Sequence, residues 1–344
     1  MSALKVAVAG ATGAVGIEMI KMLDSRNFPV GELIPLASER SEGKKVVFRG
    51  KEVAVRNLDK FTAALPAGAP ALALFSAGGD VSKLYAPKFA AAGCFVVDNS
   101  SAFRMDDGVP LVVPEVNADV LSADKKIIAN PNCSTVQMVV TLAPLHKAAN
   151  IRRVIVATYQ SVSGAGGRAM EELLSQTKAV VEGRRVPPPS KFAYQIAFNL
   201  IPQIDVFLEN GYTKEEMKMV NETKKIMRDS SIELSATCVR VPVMRAHSEA
   251  VWVEFEKDIS PDEARDILRK APGIEVVDDP SAKKYPMPLD AQNKQMTYVG
   301  RIRRDVSAAK KSLTFWIVSD NLLKGAALNA VEIAEALLNK KYLV

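Results

Sequence analysis

A cysteine lies where a turn passes into a helix in the run Asn130-Pro131-Asn132-Cys133. Asparagine and proline are typical of turns and helix N-caps, and the valines that follow are spaced as on one face of a helix. At such a place the unpaired backbone N–H groups and the positive end of the helix dipole favour a thiolate over a thiol. Cys133 is therefore a candidate nucleophile, although an inert buried cysteine at a helix start would show the same pattern.

Of the two histidines in the chain, one is a candidate for an acid or base beside that cysteine. His146 comes late in the helix that begins near Cys133, where its side chain meets the negative end of the helix dipole favourably. His247 follows a predicted strand at 237–243 and is expected in a loop, from which it could pair with Cys133. A lone histidine is more often structural, so only the combination of cysteine and histidine predicts covalent catalysis.

A strand, a glycine-rich turn and a helix follow one another near the start of the sequence. Residues 4–9 are apolar at nearly every position, as in a buried parallel strand, and residues 17–23 have helical spacing. Between them Gly10 permits a tight turn, Gly13 lets the backbone approach a pyrophosphate, and Gly16 allows the helix to pack closely on the strand. This order predicts a dinucleotide site at the N-terminus of the first helix.

The end of the second predicted strand, at 33–38, distinguishes between the two nicotinamide dinucleotides. An acidic residue there favours the free ribose hydroxyl of NAD, whereas an arginine can hold the 2′-phosphate of NADP through two parallel hydrogen bonds. Both residue types are present, in the order Glu39, Arg40 and Ser41, with two lysines close behind. The positive charges predict NADP, while Glu39 leaves NAD open.

The remaining pattern predicts an α/β protein of two domains, as expected for 344 residues. Strands at 71–76 and 95–98 flank a helix at 82–92, an alternation typical of a doubly wound parallel sheet. After Cys133 the pattern indicates a mixed sheet with helices on one face, built from strands at 154–159, 237–243, 250–255 and 313–319. Residues 321–338 have helical spacing, so we expect a last helix that covers the N-terminal sheet.

The composition is that of an ordinary globular protein, with 48% apolar and 24% charged residues. We expect no membrane partner and no targeting segment, because apolar runs are short and the first strand starts early. Three cysteines without metal-ligand spacing suit a reducing cytoplasm and predict no metal site. The net charge of +6 is scattered among 39 acidic residues, so it indicates an anionic small ligand rather than nucleic acid.

Several motifs together resemble the aspartate-β-semialdehyde dehydrogenases over essentially the whole chain. They lie at 10–16, 75–79, 97–104, 130–137, 196–199, 215–225, 239–249 and 319–327. The resemblance implies a glyceraldehyde-3-phosphate-dehydrogenase-like fold. In that fold, residues 1–130 and 321–344 form a Rossmann-type NADP-binding domain, and residues 131–320 form an α+β catalytic and dimerisation domain. It also implies a cytoplasmic homodimer or homotetramer.

The resemblance further implies an NADP-dependent, phosphorylating aldehyde dehydrogenase of lysine, threonine, methionine and diaminopimelate biosynthesis. The thiolate of Cys133 would attack L-aspartyl 4-phosphate and expel phosphate, and NADPH would reduce the resulting thioester to aspartate semialdehyde. His247 would be the acid/base and Gln160 would orient the acyl group. Arg240 would bind the substrate carboxylate. The other implied substrate contacts are Asn132 and, for the phosphate, Arg104 and Lys218.

The expected cofactor contacts come from the glycine-rich turn, the end of the second strand and the resemblance. They are Gly10, Thr12, Gly13, Ala14, Val15, Gly16, Arg40, Ser41, Ser163, Gly164 and Asn321. Asn321, which the resemblance brings near the nicotinamide, could instead cap the last helix. Each cation also has a structural alternative. Arg104 could form a loop salt bridge, Arg240 a strand-edge charge, and Lys218 part of a solvated helix face.

Two other functions remain open at this point. N-acetyl-γ-glutamyl-phosphate reductase shares the cysteine chemistry but acts on an acylated amine, and Arg104 and the motif at 239–247 argue against it. A nucleotide-sensing regulator would use the glycine-rich fold without chemistry and would leave Cys133 without a role. Activity with each acyl phosphate separates the first alternative, and a thiol whose modification changes turnover excludes the second.

Overall fold

Two six-stranded sheets form the cores of two units in a computed structural model that describes residues 3–65, 68–307 and 311–343. The first unit consists of Met1–Asn132 and Ala326–Val344, and the second of Cys133–Gly325. The assignment of cofactor binding to residues 1–130 and 321–344, and of catalysis to residues 131–320, stays a prediction. Among the helices of the described ranges, none has both the length and the apolar character needed to cross a lipid bilayer.

The strands and helices are numbered along the chain. Up to the end of the first stretch of the first unit they are β1 (Leu4–Ala9), α1 (Ala14–Ser25), β2 (Val30–Ala37), β3 (Lys45–Phe48), β4 (Lys51–Ala54), β5 (Arg56–Asn57), α2 (Leu58–Ala63), β6 (Leu72–Phe75), α3 (Gly79–Ala91), β7 (Phe95–Asp98), α4 (Pro114–Asn117) and β8 (Ile127–Ala129). The later elements are α5 (Cys133–Ala149), β9 (Ile151–Gln160), α6 (Gly167–Val181), α7 (Lys214–Met227), β10 (Glu233–Arg240), β11 (His247–Phe255), α8 (Pro261–Lys270), β12 (Ile274–Val276), α9 (Pro288–Ala291), β13 (Thr297–Arg304), β14 (Ser312–Ser319) and α10 (Leu328–Asn339).

The sheet of the first unit has the strand order β5-β2-β1-β6-β7-β8, and every neighbouring pair is parallel. All residues of β6 and β7 are buried, as expected for strands covered on both faces. The strand order reverses beside β1, which is where ligands bind in open parallel sheets. The predicted doubly wound sheet is therefore confirmed.

The last helix, α10, packs against α1, α4 and β7 within the first unit. Arg26, which directly follows α1, binds Glu335 of α10 through two hydrogen bonds, from Nε at 2.8 Å and from Nη2 at 2.6 Å. This helix begins later than the predicted residue 321, because Leu323–Ala327 form a π-helical turn before it. Asp320 and Asn321 precede that turn and are available for other contacts.

The sheet of the second unit has the order β10-β9-β11-β14-β13-β12. The outer pairs are parallel and the inner pairs antiparallel, so the predicted mixed sheet is confirmed. Helices α5, α7 and α8 pack against it. On the other face Ile155, Tyr159 and Trp252 are 40%, 37% and 36% exposed.

Two details of this sheet differ from the sequence prediction. The strand predicted at 237–243 ends at Arg240, because the neighbouring strand β9 ends at the opposite residue, Gln160, and Pro242 has no N–H for the ladder. The predicted loop position of His247 was also wrong, because His247 is the first residue of β11 and is completely buried. Residues 241–246 form the connection between the two strands.

Candidate active site

Cys133 is the first residue of α5, as the sequence predicts, and its side chain is half-buried. Cys94 and Cys238 are fully buried, and burial raises the pKa of both thiols well above the usual range. Deeply buried thiols with raised pKa values are chemically inert. Of the three cysteines, all of which lie in described segments, Cys133 is therefore the one placed for nucleophilic chemistry.

His247 is held in one tautomer by the turn that follows β9. The backbone N–H of Ser161 donates to Nδ1 of His247 at 3.0 Å, so Nδ1 carries the lone pair and the neutral ring has its proton on Nε2. Burial, assisted by the nearby Arg240 guanidinium, lowers the pKa of His247 to about 3. Nε2 has no hydrogen-bond partner among the residues that the structure describes. His247 thus offers a neutral N–H donor to a ligand.

Arg240 lies beside this histidine. A β-carbon built on Gly164 would lie 3.2 Å from both Nη1 of Arg240 and Nε2 of His247, so the glycine backbone packs against both side chains. Nη1 of Arg240 also donates to the backbone carbonyl of Ser161 at 2.6 Å. The guanidinium is close enough to interact electrostatically with Cys133. The turn of residues 161–164 therefore contacts both His247 and Arg240, and the guanidinium of Arg240 in turn lies near Cys133.

The guanidinium of Arg240 is not a solvated strand-edge charge, because the residue is only 6% exposed. The ring of Phe192 lies with its centroid 5.9 Å from the guanidinium carbon. Burial lowers the pKa of Arg240, and the carboxylate of Glu215 opposes that shift. A buried guanidinium with an aromatic neighbour suits a carboxylate ligand, which it can bind through two parallel hydrogen bonds.

Gln160 and Lys218 meet at a buried carboxylate, Glu215. The Nε2 group of Gln160 donates to Glu215 at 3.2 Å, and Nζ of Lys218 lies 3.0 Å from the other oxygen of Glu215. Lys218 also donates to Asp205 at 2.8 Å. Burial disfavours the charge on Lys218, but the two ion pairs outweigh this and raise its pKa. Lys218 is therefore mostly buried between two carboxylates and does not belong to a solvated helix face.

Sequence analysis did not single out Glu215 as a functional residue. It lies on α7 three positions before Lys218, and this spacing puts both side chains on one face of the helix. The helix is fixed by a capping box in which Thr213 and Glu216 exchange hydrogen bonds. The spacing of an acid and a lysine was visible in the sequence, but only the fold shows that the acid faces Gln160.

Asn321 joins two segments of this site. Its Oδ1 accepts hydrogen bonds from the hydroxyls of Ser161 and Ser163, at 3.2 and 3.0 Å, and from the backbone N–H of Ala246 at 3.0 Å. The predicted alternative of a helix cap is wrong, because Asp320 accepts from the N–H groups of the following turn. Within the described segments the Nδ2 group of Asn321 is buried without a partner.

The glycine-rich turn of the first unit is shaped as its spacing predicts. Gly10 has a φ of 83°, and a β-carbon there would lie 2.7 Å from the carbonyl oxygen of Ser76. A β-carbon on Gly16 would overlap the carbonyl oxygen of Gly10. Gly13 is the N-cap of α1, so the N–H groups of Ala14 and Val15 in the first helical turn have no partner in the helix. Such N–H groups can bind a pyrophosphate.

The end of β2 lies beside that turn. The hydroxyls of Thr12 and Ser41 are 3.4 Å apart, and Ser41 ends a short 3-10 helix that also contains Glu39 and Arg40. Arg40 and Glu39 are exposed, and Ser41 is half-buried. The first unit thus brings together the glycine-rich turn and the residues expected to select the ribose.

Arg104 and Asn132 are the remaining candidates and belong to the first unit. Arg104 is buried and donates to the backbone carbonyls of Asn130 and Asn99, at 2.9 and 3.0 Å. Asn130 is itself fixed by the Nδ2 group of Asn329 at 2.6 Å. Asn132 is buried at the end of this stretch. Arg104 thus binds carbonyl oxygens of the first unit, and the loop salt bridge stays a prediction.

Two family models match the chain. The semialdehyde dehydrogenase NAD binding domain matches residues 5–123, and the semialdehyde dehydrogenase dimerisation domain matches residues 142–324. Together with the parallel sheet and the cysteine site, they define a semialdehyde dehydrogenase, an oxidoreductase with separate nucleotide-binding and dimerisation domains. The fold class predicted from the sequence is confirmed.

The particular family follows from full-length relatives. The sequence is 55% identical over 338 residues to aspartate-semialdehyde dehydrogenase of Aquifex aeolicus, covering 98% of each protein. It is 51% identical to the protein of the same name from Bacillus subtilis, covering 97% of each. The chain belongs to the aspartate-semialdehyde dehydrogenase family, and the resemblance inferred from its motifs is confirmed.

Solved structures agree with this placement. The chain has a TM-score of 0.94 and 48% identity to aspartate semialdehyde dehydrogenase II of Vibrio cholerae in a complex with ASA, covering 98% of this chain and 99% of the other. The enzyme of Candida albicans, in a structure with NADP, has a TM-score of 0.76 and 26% identity, covering 99% of this chain and 100% of the other. Both comparisons span nearly the whole chain.

Proposed function

We propose that the protein interconverts L-aspartyl 4-phosphate and L-aspartate 4-semialdehyde, with NADP(H) and inorganic phosphate, in the biosynthesis of lysine, threonine, methionine and diaminopimelate. The observation that carries this proposal is a neutral histidine and a buried arginine that contact the same turn, with a half-buried thiol near the arginine. These residues supply a nucleophile, a hydrogen-bond donor for a carbonyl oxygen and a binding group for a carboxylate. The relatives described above are named aspartate-semialdehyde dehydrogenase.

In the biosynthetic direction Sγ of Cys133 forms a bond to the carbonyl carbon of the acyl phosphate. The bond from that carbon to the phosphate oxygen breaks, which leaves a thioester and inorganic phosphate. The dinucleotide, when bound, supplies the hydride that reduces the acyl group. Cleavage of the carbon–sulfur bond of the reduced adduct then gives the aldehyde and restores the thiolate.

His247 acts on the carbonyl oxygen of the substrate, both when the thioester forms and when it is reduced. Its Nε2–H has no other partner in the described part of the chain, so it can donate to the carbonyl oxygen as that oxygen becomes negatively charged. The ring stays neutral at physiological pH, because its pKa is lowered to about 3 by burial and by Arg240. Gln160, held by Glu215 and Thr158, is placed to orient the acyl group.

Three charged groups match the substrate. Arg240 binds the α-carboxylate, Glu215 binds the α-ammonium group, and Lys218 contributes to phosphate binding. The carboxylate of Glu215 distinguishes this substrate from N-acetyl-γ-glutamyl phosphate, because an acylated amine carries no charge for it to meet. Substrate contacts by Arg104 and Asn132 stay predictions.

The residues present fit a dinucleotide. A β-carbon at Gly10 would strike the neighbouring backbone, so the turn admits only glycine there and leaves its amides accessible to a pyrophosphate. Arg40 and Ser41 at the end of β2 are suited to the 2′-phosphate of NADP. The buried Nδ2 group of Asn321, which has no partner among the described residues, can donate to a carboxamide. Contacts from Ser163 and Gly164 stay predictions.

We also propose that the protein forms a homodimer through the uncovered face of the second sheet. Ile155 of β9 lies directly opposite Trp252 of β11 in the strand register. On the same face Tyr159 lies 5.3 Å from Trp316 between ring centroids. Partly exposed aromatic residues are typical of interfaces.

Sedimentation should show a dimer for the natural protein and a monomer for Trp252→Glu, and a monomeric natural protein would refute the proposal. A tetramer and a cytoplasmic location stay predictions.

The reaction is tested in the reverse direction with purified protein, aspartate semialdehyde, phosphate and NADP. We expect production of NADPH that requires phosphate and that Cys133→Ser abolishes. N-acetylglutamate semialdehyde serves as the competing substrate. Faster turnover of that compound would favour the related reductase, and binding of NADP without turnover of either aldehyde would favour a nucleotide-sensing protein.

A further inference from the structure

Ala246, the residue before His247, has a backbone conformation that alanine rarely adopts. Its φ is 73°, and the residue is completely buried. The left-handed region is unfavourable for a residue with a side chain, so surrounding contacts must hold it there. Because His247 comes next in the chain, the conformation of Ala246 sets the direction in which β11 begins and hence the place of the imidazole.

The contacts that hold Ala246 come from two consecutive residues after β14. The backbone N–H of Ala246 donates to Oδ1 of Asn321 at 3.0 Å. The side chain of the preceding residue, Arg245, donates from Nε to Oδ2 of Asp320 at 2.6 Å. The chain is therefore tied on the N-terminal side of Ala246 to Asp320 and at Ala246 itself to Asn321.

Asp320 is a fixed anchor for this pair. Its side chain is completely buried, and Oδ2 also accepts from the backbone N–H of Asn293 at 2.6 Å. Oδ1 accepts from the N–H groups of Leu322 and Leu323, at 2.9 and 3.2 Å. Hydrogen bonds to a carboxylate are the stronger kind, and these come from several segments. Asp320 therefore keeps its place when Arg245 is removed.

The imidazole ring of His247 is also linked, through Ser161, to Asn321. The turn residue Ser161 donates its N–H to Nδ1 of His247 at 3.0 Å, and its hydroxyl lies 3.2 Å from Oδ1 of Asn321. Both the ring and the backbone before it are thus positioned relative to residues 320 and 321. A change in the backbone conformation of Ala246 would move the ring away from the turn that fixes its tautomer.

We propose that Arg245 and Asp320 are positioning residues for His247, and that their ion pair holds Ala246 in the left-handed conformation from which β11 starts. The proposal rests on the role of His247 in the proposed function. Neither residue binds substrate or cofactor in the proposed function. When the pair is broken, Ala246 relaxes to a lower-energy conformation, and the Nε2–H of His247 leaves its place beside Gly164.

The test compares Arg245→Ala with the double variant Arg245→Ala, Ala246→Gly. Arg245→Ala should lower kcat by about tenfold to a hundredfold, as expected for a misplaced catalytic group, with the KM for phosphate nearly unchanged. Glycine accepts a positive φ without strain, so the double variant should recover a large part of the lost kcat. Ala246→Gly alone should have nearly the natural kcat.

The matched control is Arg265→Ala, which removes another ion pair to a buried carboxylate, that of Asp278 at 2.7 Å from the Arg265 Nε. It should lower the thermal unfolding midpoint without changing kcat. Should Arg245→Ala fail to fold, Arg245→Lys keeps the charge, loses the fork and is compared in the same way. Natural kcat in Arg245→Ala, or a double variant no faster than the single one, would overturn the proposal. An inactive natural chain would instead refute the proposed function.

Discussion

Gly325 approaches Cys133 so closely that a β-carbon at position 325 would lie 2.7 Å from the β-carbon of Cys133 and 3.1 Å from its Cα. Real side chains do not come this near, so a larger residue at 325 must displace the first turn of α5 or the turn before α10. The position of Cys133 therefore depends on Gly325, almost two hundred residues later in the sequence, because glycine has no side chain there.

We expect Gly325→Ala to lower kcat about tenfold or more, because a small displacement of the nucleophile disturbs its approach to the carbonyl carbon. The rate at which Cys133 reacts with iodoacetamide should change in the same variant. Gly167→Ala is the control, since a β-carbon at Gly167 meets nothing within 4 Å. If Gly325→Ala and Gly167→Ala have the same activity, the close approach has no effect on catalysis.

The three thiols should differ in reactivity. Iodoacetamide at neutral pH should modify Cys133 and leave Cys94 and Cys238 unmodified in the folded protein, because burial raises the pKa of the latter two thiols. Peptide mass spectrometry locates the adduct, and loss of activity should follow modification of Cys133 in a one-to-one ratio. Modification of Cys94 or Cys238 that inactivates an otherwise unmodified protein would contradict the assignment.

The cations of the site should affect different kinetic constants. Arg240→Lys keeps the charge but loses the planar fork, so the KM for aspartate semialdehyde should rise and kcat should fall. Lys218→Ala should raise the KM for phosphate more than that for the aldehyde. Since Lys218 also contacts Glu215 at 3.0 Å, an effect on the aldehyde alone would mean that this lysine orients Glu215 and does not bind phosphate.

Arg40 should determine the preference for NADP. Loss of a charge-assisted hydrogen bond to the 2′-phosphate should weaken NADP binding by on the order of 1.5–3 kcal/mol in Arg40→Ala, with little change for NAD. Isothermal titration with both dinucleotides measures the difference. Glu39→Ala is the comparison, and it should not weaken NADP. Equal losses of affinity for both dinucleotides in Arg40→Ala would show that Arg40 does not bind the 2′-phosphate.

His247 should contribute to the pH dependence of stability. The pKa of the folded protein is about 3, below the ordinary value of 6.5, so between these values the unfolded chain binds a proton that the folded chain does not. The contribution is complete above about pH 6.5 and falls by about 1.4 kcal/mol per pH unit as the pH drops towards 3. His247→Asn should remove this part of the slope in urea unfolding, whereas His146→Gln should not. Equal slopes in the natural chain and His247→Asn would contradict the assignment.

Local signals explain what the sequence could predict. The glycine spacing from Gly10 to Gly16 and the turn before Cys133 depend on neighbouring residues, and both were found where predicted. His247 could not be placed, because the start of β11 depends on its pairing with β9 and β14, which are distant in the sequence. The role of Glu215 and the left-handed conformation of Ala246 depend on similar long-range contacts. No periodicity encodes them.

The return of α10 to the first unit has a consequence for the order in which the chain can fold during synthesis. Residues 133–325 form an uninterrupted stretch, so their sheet can assemble as soon as that stretch has left the ribosome. The first unit emerges earlier but lacks α10, which packs on α1 and β7, until nearly the whole chain has been made. Part of the apolar surface of the first sheet therefore stays uncovered until α10 has been made, so the unit that is translated first is completed last.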